Sequence, residues 1–103
     1  MLEELLALNR RAAAQGNFQV AYHVLMAALH WADHMGDLAA VERIGLLGVE
    51  QGEAVERVQP PHQLSRAQAA LRGQTALFDS FATHVEAVRL RVQSDAQRAK
   101  RQP

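Results

Sequence analysis

The sequence predicts an all-α domain of antiparallel helical hairpins, four helices in all, closed by a long C-terminal helix. Three observations carry this expectation. Alanine, leucine, glutamine, glutamate and arginine dominate, while isoleucine and the aromatic strand formers are sparse. No stretch alternates apolar and polar side chains for long enough to make a half-buried strand. Gly16-Asn17 and Gly36-Asp37 each pair a helix stop with a helix start, the punctuation of tight turns between helices.

The first helix is expected over 2–15. Glu3 and Glu4 oppose the positive end of its dipole, and Arg10 and Arg11 suit its negative end. The second covers 18–35. Residues placed at 100° intervals put Phe18, Ala21, Leu25, Ala28, Leu29 and Ala32 on one face, and Val20, Val24, Ala27 and Trp31 widen it. An apolar arc this broad predicts a central helix with neighbours on two sides. The third covers 38–58 and carries Gly45, Gly48 and Gly52 on one face. Each costs about 1 kcal/mol relative to alanine in a helix. The stripe therefore predicts either close approach by a neighbouring helix or a break near Gly52. Pro60-Pro61 ends the segment in both cases.

The fourth helix is expected over 63–98, beginning between Pro61 and Ser65, with Ser65 and Gln68 as a capping box. Leu64, Leu71, Phe78, Val85, Val92 and Ala99 recur every seven residues. Ala67, Phe81 and Val88 fill the offset position, which Gln74 and Asp95 interrupt. A rod of about 35 residues would be roughly 50 Å long. Its apolar edge outreaches the partner helices that one chain supplies.

One segment resembles a known family. Leu5, Leu8 and Ala12, then Gly16-Asn17-Phe18, Ala21, Leu25 and Ala28-Leu29, follow the pattern of a tetratricopeptide-repeat hairpin. The resemblance covers residues 5–32 and implies stacked helical pairs with a role in peptide or protein binding. Asn9 departs from it, standing where the motif prefers a small residue, and no proline follows near Asp33.

Composition narrows the function classes. A chain of 103 residues supports one domain, and its 11 basic and 11 acidic residues cancel. Zero net charge argues against a dedicated nucleic-acid binder. Cysteine is absent, which excludes disulfides, thiolate metal sites and a cysteine nucleophile. The longest uncharged stretch, 16–32, carries two histidines with Asn17, Gln19 and Tyr22, so no membrane span is expected. Met1-Leu2-Glu3-Glu4 lacks the basic start of a secretory signal, which leaves a cytoplasmic domain as the expectation.

Few side chains suggest chemistry. His30 and His34 lie one helical turn apart, with His23 two turns earlier and Asp37 following. Imidazoles at this spacing can bind a transition metal, with Asp37 as a further ligand, although a solvated histidine strip explains the same pattern. Trp31 occupies the place of the glutamate that a zinc-protease motif requires. The serines, at 65, 80 and 94, have no glycine elbow, so no catalytic arrangement and no cofactor are expected. Charge is split between the halves. Residues 1–59 hold eight acidic and four basic groups, and residues 60–103 hold three and seven. The basic tail at 96–103 could contact phosphates, complement a helix end, or lie on the acidic half of another chain.

The expectation is therefore a non-catalytic interaction module with a protein or peptide partner, joined as a homodimer through the last helix. Phe78, Phe81, Val85, Val88 and Val92 would form the contact, with Trp31 on the second helix. Metal binding through His23, His30, His34 and Asp37 is the alternative, and nucleic-acid contact through the arginine-rich tail ranks below it.

Overall fold

A computed structural model describes residues 1–101, and every regular element among them is a helix. There are five: α1 (Leu2–Ala14), α2 (Phe18–Met35), α3 (Leu38–Glu56), α4 (Arg66–Leu71) and α5 (Leu77–Arg101). Residues 102 and 103 of the expected basic tail lie outside the described residues. No helix is long and apolar enough to cross a membrane among the described residues.

The first two junctions behave as their residue types dictate. Gly36 adopts φ 64°, where side chains with a Cβ are strained, and ends α2. Asp37 then caps α3, its Oδ1 accepting the Ala40 N–H at 3.1 Å. Asn17 differs, since its side chain makes no cap hydrogen bond to α2.

The expected single rod over 63–98 is not formed. The chain breaks between α4 and α5, where Gly73 turns at φ 66°. The Gln74 N–H donates to the Ala69 carbonyl at 2.9 Å and closes the end of α4. Ser65 caps α4 as expected, its hydroxyl accepting the Gln68 N–H at 3.2 Å. Leu71, nominally on the seven-residue seam, is 79% exposed, so the seam does not run through the break. Arg66 spans it instead, with a two-pronged ion pair to Asp79 at 2.8 and 2.9 Å.

Helix α2 is central and packs against α1, α3 and α5. Ala21, Leu25, Ala28, Leu29 and Ala32 are fully buried. The outer part of the expected arc is not: Val20 and Ala27 are exposed, while Val24 and Trp31 are half-buried. Helix α3 runs unbroken to Glu56, so the expected alternative of a break near Gly52 is not observed. The glycine stripe receives α5. A Cβ at Gly45 would lie 2.9 Å from Val85, one at Gly48 2.7 Å from the Phe81 ring, and one at Gly52 3.1 Å from Phe78. Rising numbers on α3 meet falling numbers on α5, so these two helices are antiparallel.

The expected partner seam is thus the protein's own core. Phe78, Phe81, Val85, Val88 and Val92 are all buried within the chain. The shortened helix is the reason, because a ridge spanning 78–92 is matched in length by α3 and needs no second chain to cover it. Trp31 likewise packs at the margin of this core.

Candidate docking surface

The histidine strip does not assemble a metal site. His23, His30 and His34 are exposed, and Asp37 is engaged as the cap of α3. No group of three or more His, Asp or Glu side chains is gathered to hold an ion among the described residues. Asp33, within the same run, pairs with Arg91 of α5. The physical reason is that histidines at 23, 30 and 34 share a face pointing to solvent, where no other helix brings a further ligand.

The arginine-rich end of α5 is likewise partly neutralised. Arg89 pairs with Glu86 at 2.6 Å, Arg91 with Asp33, and Arg98 with Asp95 at 3.4 Å. These pairs reduce the field that a phosphate would sense.

A buried polar contact ties α1 to α3. Asn9 and Gln51 exchange amide hydrogen bonds of 3.0 and 2.5 Å, and Asn9 also donates to the Ala21 carbonyl at 2.8 Å. Both are buried, and every buried side-chain polar atom among the described residues has a partner. This closed network specifies packing, and it offers nothing to a ligand. A cavity of about 340 Å³ lies nearby between α1 and α3, with Arg10, Glu50 and Arg57 around an apolar lining of Ala13, Phe18 and Leu47.

The most distinctive surface lies on the other side of α3. A groove of about 370 Å³ runs between α3 and α5. Its width follows from small residues, Gly45 on one wall and Ala82 on the other, above Val85. Leu46 and Val49 stand at its edge, 73% and 52% exposed. They lie off the core stripe of α3, which Val41, Ile44, Gly48, Gln51 and Val55 occupy. Two large apolar side chains beside a groove mark a place where another molecule can remove surface from water.

Charge frames the groove. Glu42, Glu86 and Arg89 line it, with a formal excess of one negative charge. Arg89 hydrogen-bonds Glu86, which lowers the Glu86 pKa and raises that of Arg89, and Glu42 adds to the latter effect. Sequence reasoning did not select this surface. The signal available was Leu46 and Val49, large apolar residues opposite the helix face that the other hydrophobics share.

Compared with known protein families, with curated proteins and with solved structures, the chain matches none.

Proposed function

We propose that the chain is a non-catalytic protein-interaction module whose α3/α5 groove docks a helical segment of a protein. The observation carrying this reading is the exposure of Leu46 and Val49 beside a groove with an apolar floor and two carboxylates. An aliphatic or basic helix suits such a groove, because long cationic side chains cover apolar surface with their stems and reach carboxylates with their heads. The reading also draws on the resemblance of residues 5–32 to a tetratricopeptide-repeat hairpin. In that reading α1 with α2 and α3 with α5 form two stacked helical pairs, and the groove lies on the end of the stack, where a further pair would sit.

Selection from a library of randomised helical peptides, followed by mapping of amide chemical shifts, tests this proposal. Bound peptides are expected to perturb Leu46, Val49, Ala82 and Glu86, and Leu46→Glu is expected to abolish binding without loss of helix content. Failure of the library to yield any groove binder, or binders that map to the histidine strip, would contradict it.

A further inference from the structure

The geometry points to a second copy of this chain as the occupant of that groove, through antiparallel pairing of the two α5 helices. This rests on the docking reading above and names its partner.

Beyond Val92, α5 continues for about two more turns, and from Ser94 onward every described residue is exposed. The molecule is correspondingly extended. Its radius of gyration is 15.1 Å, against about 13 Å for a compact domain of this length. Its accessible surface is 6516 Å², against about 5,800 Å² for a compact monomer of 11.4 kDa. The excess, roughly 700 Å², comes with the protruding end of α5, which no element of the chain covers.

A polar strip along α5 says how two copies would pair. Glu86, Leu90, Gln93, Gln97 and Lys100 follow one another at spacings of four and three, so they share one side of the helix. That side lies about 120° around the helix from the core ridge, beside the groove that Glu86 lines, and Leu90 is 53% exposed on it. Gln93 is the midpoint, with Glu86 and Lys100 each seven residues away. An antiparallel pair centred on Gln93 therefore sets each Glu86 opposite the Lys100 of the other copy. It sets each Leu90 against Ala96 and Gln97, and it brings together the two Gln93 side chains, whose Oε1 accepts from Arg89 and whose amide N–H groups remain to donate. Parallel pairing would oppose like charges at both ends.

The same placement fills the groove. Lys100 of the second copy arrives level with Glu86, where Glu42 of α3 stands on the opposite wall. Its stem covers the apolar floor beside Leu46, and its ammonium reaches Glu42 and the outer edge of the Glu86 carboxylate, which Arg89 holds from within the chain. Within one chain this contact is impossible, because fourteen residues of helix separate Glu86 from Lys100 by about 21 Å.

Sedimentation equilibrium of the full chain with charge-swapped variants tests the pairing. The wild-type chain is expected to dimerise at micromolar to several hundred micromolar concentration. Glu86→Lys and Lys100→Glu are each expected to weaken the dimer on the order of tenfold or more, since each opposes like charges at both contacts. Mixing the two variants is expected to restore association, because the mixed pair again matches opposite charges at both contacts. Circular dichroism shows whether each exposed-site variant keeps its helices; if one unfolds, Glu86→Gln with Lys100→Gln supplies the same comparison through loss of affinity.

A wild-type monomer throughout that range overturns the pairing, as does a dimer unmoved by either swap. In the first case, peptides that still bind the groove leave the docking reading standing. If peptides and second copy both fail to bind, the two fall together.

Discussion

Gly48 shows how a single missing Cβ decides the packing of two helices. Replacing it by alanine gains about 1 kcal/mol of helix propensity. The new methyl, however, lands 2.7 Å from the Phe81 ring, which is itself held between helices and only 2% exposed. Overpacking of this kind costs about 1–3 kcal/mol. Gly48→Ala is therefore expected to destabilise by up to about 2 kcal/mol, read from the urea midpoint at unchanged slope. A stabilised variant would mean that α5 is not seated on the glycine stripe. The Asn9–Gln51 pair obeys a different rule, because each amide satisfies the other in a site without water. Asn9→Leu alone leaves Gln51 without its partner and is expected to cost about 1–3 kcal/mol. Adding Gln51→Leu is expected to recover much of that loss, and a double-mutant cycle reads the coupling. Additive effects would contradict a direct bond between the two side chains.

At the scale of elements, the turn between α4 and α5 explains what the sequence made legible and what it concealed. The glycine-polar junctions at 16 and 36 and the bounds of α2 were readable, because local residue chemistry alone determines a helix stop. Gly73 ends a helix in the same way, but it lies inside a run of leucine, phenylalanine and valine recurring every seven residues, which by itself predicts an unbroken rod. That periodicity is real only from Phe78 to Val92, and Leu64 and Leu71 share it without sharing the helix. The glycine stripe left a close neighbour or a break near Gly52 as its two readings, and α5 supplies the neighbour, while the Asn9–Gln51 bond joins residues 42 apart that no local pattern links. The groove is not legible in the sequence for a related reason, since exposure of Leu46 and Val49 depends on which side of α3 each neighbour takes. Across the same turn, the Arg66 guanidinium beside Asp79 holds its carboxyl below the ordinary value of 3.8. A carboxyl lowered on folding adds stability above its unfolded pKa, and that stability is lost as pH falls through the folded value. Both side chains are well exposed, at 61% and 39%, so water screens the pair and its contribution is small. Asp79→Asn is expected to flatten the loss of stability on acidification below about pH 4 and to leave the fold intact. An unchanged acid limb would show the ion pair to be absent in solution.

For the whole molecule, the decisive division is between the two sides of α5. One side carries Phe78, Phe81, Val85, Val88 and Val92 and belongs to the domain's own interior. The other carries Glu86, Leu90, Gln97 and Lys100, all exposed, with Gln93 half-buried among them. A chain of this size rests on about 5–15 kcal/mol of net stability, so one charged side chain placed on the inner side is enough to unfold it. The most direct measurement is chemical denaturation with far-ultraviolet circular dichroism of Val85→Glu beside Leu90→Glu. Val85→Glu is expected to lose the cooperative transition and most of its helical signal at every protein concentration, while Leu90→Glu keeps the wild-type monomer fold. A Val85→Glu chain that stays folded and merely sediments as a smaller species would contradict this division, since the ridge would then face another chain instead of the domain's own interior.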